Sequence, residues 1–377
     1  MAGQQARAAE VAAKLSRVRG LLRERGATAL VLTRVANFAW ITGGGRSFIN
    51  VAAEGGAAWV LITADRARIL TSNIEAGRLV EEELTGVAWE VESTPWWQAG
   101  GLAGLVAQAV GGGTVLADGG LSPAVDVGAT LAEIRSELSA EEQVRAVGLG
   151  ADVALALEET CRAARPGETE FAIAGRLAER CLRRGVEPVV HLVATDQRVW
   201  TRRHPLPTAK PLERWLLVAV CGLREGLVLS ATRLAHVGPP PDDLLRRWEA
   251  AASVDAEMIA RSQPGARAGD ILAAAQQTYA RLGFAEEWER HHQGGLAGYA
   301  SREWRAVPGG SQTLRAGQLV AWNPSVAGAK SEDTALVPEE GQTPRILTST
   351  GDWPTRAFPT TVGLTVPRPE ILVLPGH

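Results

Sequence analysis

Two stretches of the chain follow one pattern: ARPGETEFAIAGRLAERCLRRGVEP at 164–188 and SQPGARAGDILAAAQQTYARLGFAE at 262–286. Each opens on a Pro-Gly (Pro166-Gly167, Pro264-Gly265), runs into a helical segment, and ends at the same spacing on a glycine, Gly185 or Gly283. Pro-Gly dictates a turn, and a glycine closing a helical run supplies the left-handed residue of a C-cap. Each copy is preceded by a long helix; for the first this is LSAEEQVRAVGLGADVALALEETCRAA (138–164), with acidic residues in its opening turn. A strand pair follows each copy. RWLLVAVCG (214–222) and GLVLSATRLAHVG (226–238) turn at Leu223-Arg224-Glu225, while GQLVAWNPSV (317–326) and SEDTALVPEEG (331–341) turn around Ala327-Gly328. A helix, Pro-Gly, helix, hairpin unit present twice predicts a pseudo-symmetric α+β domain with a ligand cleft between its halves.

Upstream the texture differs. An amphipathic helix from Val11 to Arg25 leads through Gly26 to the apolar strand ATALVLTR (27–34). GAAWVLIT (56–63), RARILTSN (66–73), a helical NIEAGRLVEEEL (73–84) and GTVLADGG (113–120) complete an α/β layer structure. No glycine-rich phosphate loop follows any of these strands, which gives no support for nucleotide binding. The reading is two domains, 1–135 and 136–377.

Composition narrows the class. The 377 residues are 46% hydrophobic and 21% charged, with 42 acidic against 39 basic residues and a net charge of −3. That balance offers no footprint for nucleic acid or an anionic membrane. No apolar run approaches the ~20 residues of a membrane span, and the first residues lack the apolar core of a signal peptide. Cys161, Cys181 and Cys221 are too scattered for a disulfide framework or zinc knuckle. A cytoplasmic enzyme or binding protein acting on a small molecule is expected.

On these motifs the chain resembles the creatinase, prolidase and methionine aminopeptidase (M24) family. The resemblance rests on the duplicated half-motif, RRHPLPT (202–208), GLVLSATR (226–233), HHQGGLAGY (291–299), VAWNPS (320–325) and KSEDTALV (330–337). VLTRVANFAWITGGG (31–45) is similar to the creatinase-type N-terminal domain. The resemblance implies a pita-bread α+β domain behind an α/β N-terminal domain, and a homodimer. Family peptidases hold two divalent metals with two Asp, one His and two Glu. Matched position by position, those ligands fall on Val220, Ser230, His292, Asn323 and Glu332. Two dications need several anionic oxygens. Val220 offers no donor, Ser230 little, and Asn323 a neutral carbonyl, so the expectation is no metal, no cofactor, and no metallopeptidase activity.

Creatinase, the metal-free branch, uses a cleft histidine as acid and base. The resemblance puts that role on His204, in a stiff Pro-rich segment, with Arg202 and Arg203 depressing its pKa if they face it. On a strand only one of the adjacent His291 and His292 can face the cleft, and the resemblance selects His292. Glu332 either contacts substrate or forms an internal ion pair with His292, Lys330 or Arg233. Tyr299 either donates to an oxyanion or packs; Arg302 either clamps a carboxylate or pairs structurally. Lys330 is a candidate carboxylate anchor or imine-forming amine, and Asn323 and Ser230 are neutral pocket hydrogen-bonders. Cys221 reads as an inert buried thiol. Trp200, Trp288, Trp304 and Trp322 flank the motifs and suggest an aromatic-walled pocket.

The catalytic set is therefore His204, His292 and Glu332; the substrate-binding set is Tyr299, Arg302, Asn323, Lys330, Arg233 and Ser230. C–N bond hydrolysis on a small amino-acid-like substrate is the leading reaction. Two alternatives stay open: a non-hydrolytic biosynthetic enzyme (cyclisation, elimination or condensation), and an inactive peptidase relative acting as a binding protein.

Overall fold

The computed structural model describes residues 2–376. Two compact units emerge: the chain up to Glu142 together with Glu225–Leu227, and Gln143–Arg224 together with Val228 onward.

In the first unit, helix Ala2–Glu24 precedes strands β1 (Ala29–Arg34), β2 (Gly55–Ile62), β3 (Ala67–Ser72), β4 (Glu90–Thr94), β5 (Val115–Ala117) and β6 (Val125–Asp126). They form one mixed sheet in the order β4-β3-β2-β1-β5-β6. The apolar strands expected from sequence are there because β1 is buried along five of its six residues. Val106 of helix Gly101–Val110 joins Ala29, Val31, Leu61 and Leu70 in one cluster. A buried carboxylate needs donors, and Asp118 at the end of β5 has four: Thr33 N and Oγ1, Arg34 N and Asn37 Nδ2, at 2.7–3.0 Å. The helix expected over 73–84 is shorter, a turn at Ala76–Arg78 running into a π-turn at Leu79–Glu83.

The second unit carries helices Glu170–Arg183, Asp242–Ala260 and Ala268–Arg281, with strands β7 (Glu187–Thr195), β8 (Trp215–Arg224), β9 (Leu227–Val237), β10 (Gly294–Ala297), β11 (Trp304–Arg305), β12 (Leu319–Trp322), β13 (Ser325–Val326), β14 (Ala329–Lys330), β15 (Asp333–Leu336), β16 (Arg345–Ile346), β17 (Thr355–Pro359), β18 (Thr365–Pro369) and β19 (Leu372–Leu374). Two sheets run β19-β9-β8-β7 and β11-β10-β12-β15-β16. The sequence duplication reappears in the hydrogen bonds. Gly167 N–H donates to Leu212 O (2.8 Å) and Leu212 N–H to Glu168 O; Gly265 N–H donates to Leu314 O (2.9 Å) and Leu314 N–H to Ala266 O. Both glycines have φ near +85° (86 and 84), the left-handed turn that Pro-Gly announces.

The halves are laced together where β9 meets the second sheet. Val228 N–H donates to Gly298 O, Ser230 N–H to Thr334 Oγ1, and Thr232 N–H to Glu332 O. Helix Asp242–Ala260 fills the core behind them with Val254, Met258 and Ile259, all essentially inaccessible to solvent. This seam sets Glu332 beside the residues of β8 and β9.

Candidate active site

A cavity of about 260 Å³ opens along the seam. Its walls come from β7 (Val190, Leu192), β8 (Ala219, Val220, Cys221), His204, His292, Ser301, Arg302, Arg305, Asn323, Lys330 and Glu332. Six residues expected from sequence thus converge: His204, His292, Arg302, Asn323, Lys330 and Glu332.

Glu332 is buried yet fully engaged. Lys330 Nζ lies 2.7 Å from Oε2, Thr232 Oγ1 donates to Oε2 at 2.6 Å, and Arg302 Nη2 reaches Oε1 at 3.1 Å. Burial opposes its charge, but Lys330 and then Arg302 overrule that and hold the carboxyl down at about 2. The internal partners are Lys330 and Arg302, and not Arg233 or His292.

Three imidazoles meet beside this ion cluster. His291 Nε2 lies 3.1 Å from His204 Nε2, and the His291 and His292 rings stack with centroids 4.6 Å apart. As expected, only His292 of the pair lines the cavity, while His291 is buried against His204; the segment is irregular, because β10 begins only at Gly294. Anchors set this irregular segment. Tyr279 Oη donates to Gln293 Oε1 (2.9 Å) and accepts from Ser325 N–H (2.8 Å), while Ser325 Oγ lies 3.4 Å from His291 Nδ1. Gly294 N–H donates to His292 Nδ1 at 3.3 Å, so the neutral His292 ring carries its proton on Nε2.

The charged form of all three imidazoles is disfavoured. Burial, then the Lys330 charge, pushes His291 down to about 2. Burial, then Arg302 and Arg305, lowers His292 to about 4. His204 is lowered by burial and then by Lys330. The depressing charges on His204 are not its sequence neighbours: Arg203 bonds Ser325 Oγ (3.0 Å) and pairs with Glu287, and Arg202 turns to Thr201 O.

Three expected substrate contacts lie elsewhere. Arg233 is buried against Asp333 (3.0 Å) and Glu158 (3.4 Å), donates to Thr348 O, and lines a separate cavity of about 340 Å³. Asp333, next along the chain from Glu332, is on that other side, and draws Arg233 with it. Tyr299 is buried outside the cavity wall, its N–H bonded to Glu303 Oε1. Ser230 sits behind the wall, donating to Cys221 Sγ (3.2 Å) and accepting weakly from Arg302 Nη1 (3.4 Å). None of Trp200, Trp288, Trp304 and Trp322 lines the cavity; Trp322 is a core residue bonded to Ser262 Oγ, and Trp200 packs on Gly328. Sequence reasoning missed Arg305 on the cavity wall. Burial also raises the Cys221 thiol, in keeping with an inert group.

The donor set does not fit a two-metal centre. Val220 presents only carbon, Ser230 Oγ is bonded to Cys221, and both Glu332 oxygens are taken by side-chain cations and Thr232. His204, His291 and His292 bring ligand atoms within 4.8 Å of one another. Yet His292 Nδ1 is occupied by Gly294 N–H, and the surrounding charges are Lys330, Arg302 and Arg305, which repel a dication.

The sequence profile of metallopeptidase family M24 matches residues 143–339, and that of the creatinase/prolidase N-terminal domain matches 14–170. The chain belongs to metallopeptidase family M24, with the pita-bread fold preceded by a creatinase-type N-terminal domain. Among solved structures it is similar to dipeptidase PepE from Mycobacterium ulcerans: 20% identity over 98% of this chain and 99% of that one, TM-score 0.76. The Xaa-Pro dipeptidase from Bacillus anthracis is 18% identical over 97% and 100%, TM-score 0.75. The N-terminal domain of FACT complex subunit SPT16 from chickpea is 13% identical over 93% and 96%, TM-score 0.68. At these identities the likeness is one of fold. No curated protein matches the chain in sequence. Among the described residues, no helix is long and apolar enough to cross a membrane.

Proposed function

We propose that this protein is a metal-independent hydrolase built on the M24 fold, in which His204 performs acid/base chemistry on a small amino-acid-like substrate. The observation that carries the reading is the state of Glu332: its carboxylate is neutralised by Lys330 and Arg302 instead of standing open to a metal. Hydrolysis of a C–N bond is the leading reaction. Neutral His204 takes a proton from water as its oxygen adds to the carbon, then returns that proton to the departing nitrogen. His292 Nε2–H is a neutral donor for the oxygen that gains charge, in a site where such a bond is worth more than in water. Lys330 and Arg302 keep Glu332 ionised and the cavity electropositive. We extend the reading to a cytoplasmic homodimer, for which light scattering of the purified protein tests the oligomeric state.

The test is turnover of small amides, N-acyl amino acids and guanidino acids by chelator-treated protein. The reading expects activity that survives chelation and falls by about 10²–10⁴-fold in His204→Ala. Activity lost on chelation and restored by manganese or zinc would sink it. The departures from the family's ligand set at Val220, Ser230 and Asn323 favour one second reading, an inactive peptidase relative that acts as a binding protein. On that reading no substrate turns over and His204→Ala leaves the protein's cellular role intact.

A further inference from the structure

The cavity of about 340 Å³ that Arg233 lines is distinct from the histidine cleft, and no residue lines both. Ile259, Ile346, Trp353, Leu364 and Val366 give it an apolar wall, and the exposed Ser349, Thr355 and Thr365 bring it to the surface. Arg233 and Arg368 also line it, with side chains 1% and 0% exposed. Most of each guanidinium is engaged. Arg233 is bonded to Asp333, Glu158 and the carbonyls of Thr232 and Thr348, and Arg368 to Asp333, Asp255 and Ser331 Oγ. One buried nitrogen on each is left over, Arg233 Nε and Arg368 Nη1, with no partner among the described residues. A buried donor has given up its hydrogen bonds to water, so folded proteins seldom leave one unmet.

We infer that this cavity is a second ligand site, which takes a small neutral molecule with a flat apolar body and a carbonyl oxygen, the oxygen accepting from Arg233 Nε–H and Arg368 Nη1–H. The balance of charge selects a neutral occupant. The two guanidinium groups are met by three carboxylates, Asp333, Asp255 and Glu158, so a further anion would find no uncompensated cation. A cationic ligand brings donors of its own and would leave the two N–H groups unmet. The apolar wall selects the body of the ligand. Trp353 is buried and its Nε1–H is bonded to Glu370 O (2.9 Å), with the Arg233 guanidinium 5.9 Å from the ring centroid. An indole fixed in this way is a surface on which a planar group packs. The volume lies at the lower end of the ~300–1,000 Å³ of small-molecule sites, which suits one ring with its amide or ketone.

Ligand-observed NMR titration of the full-length protein with benzamide and, separately, with benzoate tests this, because the two probes differ in little but charge. Saturable benzamide binding is expected, with benzoate at least about tenfold weaker at this cavity. Leu364→Trp and Ile346→Trp each fill the cavity from a half-buried wall position and should weaken benzamide by about tenfold or more; thermal melts show that each variant is folded. A benzamide-soaked crystal of the unaltered protein locates the molecule without any variant, and should place its oxygen at Arg233 and Arg368. Benzamide affinity should be unchanged in His204→Ala, which alters the other cavity, so this site and the acid/base reading of the cleft stand or fall separately. Absence of saturable benzamide binding would overturn the inference and leave the cavity to water. So would binding that a folded cavity-filling variant leaves unchanged, or benzoate held here as tightly as benzamide.

Discussion

His204 is held below the ordinary histidine pKa by partial burial and by the Lys330 ammonium, with Arg305 and Arg302 adding to it. A general base works in its neutral form, so the acid limb of the pH–rate profile should lie below the unperturbed value of ~6.5. The rate should climb as pH rises through that limb and be level by neutrality. Replacing Lys330 with Met removes the second-largest cause and should move the limb upward; a limb that stays put in this variant would show that burial alone sets it. At this scale the sequence was readable wherever a motif fixed a position, as for His204, His292 and Glu332. It was not readable for Arg233, which pairs with Asp333 at a separate cavity and not with Glu332, nor for Tyr299. Of the paired imidazoles the motif picked out the one on the cavity wall, but not the approach of His291 to His204 behind it, since the segment is irregular before β10 starts at Gly294.

Strand β10 is where the elements are least forgiving. A Cβ on Gly295 would stand 2.1 Å from Trp304 O and 2.9 Å from Arg305 Cα, and Gly294 has φ +98 with Ala321 O equally close. Close backbone approach here joins β10 to both β11 and β12. Gly295→Ala should therefore cost about 3 kcal/mol or more, as overpacking against rigid backbone does; urea unfolding that shows less than 1 kcal/mol of loss would refute the close packing. The duplicated Pro-Gly units were plain in the sequence because turn chemistry is local. Strand β7 was not, since Glu187-Pro188-Val189-Val190-His191 mixes polar residues and a proline into a strand held in place by its pairing with β8. The tryptophans were misread as pocket walls for a related reason: flanking a motif in sequence does not decide which face of the sheet a side chain takes.

For the molecule as a whole, the neutral histidines make stability depend on acidity. His291 and His292 titrate near 2 and 4 when folded and near 6.5 when unfolded. Below 6.5 the unfolded chain binds more protons, so stability is complete above that pH and is lost as pH falls toward 4. Each group contributes up to about 1.4 kcal/mol per pH unit across that window. Glu332, folded near 2 and unfolded near 4.3, acts in the same direction at lower pH. Thermal melts from pH 7 to pH 4 should fall steadily, and His291→Asn should flatten the slope between about 6.5 and 4; an unchanged slope would mean that carboxylates elsewhere dominate.

The two-domain α+β architecture could be read from periodicity, duplication and motif order, since these are properties of whole segments. The surroundings of Glu332 could only be half read: the departures from the family's ligand set were visible, but the closure of Lys330 and Arg302 on Glu332 is a matter of three dimensions. Elemental analysis of the purified protein, after incubation with manganese, cobalt and zinc and removal of free ions, tests that claim most directly. The account predicts far less than one metal ion retained per chain and no rise in melting temperature with any of the three. Two ions per chain, or one held tightly enough to raise the melting temperature, would contradict it and return the cleft to metal-dependent peptidase chemistry.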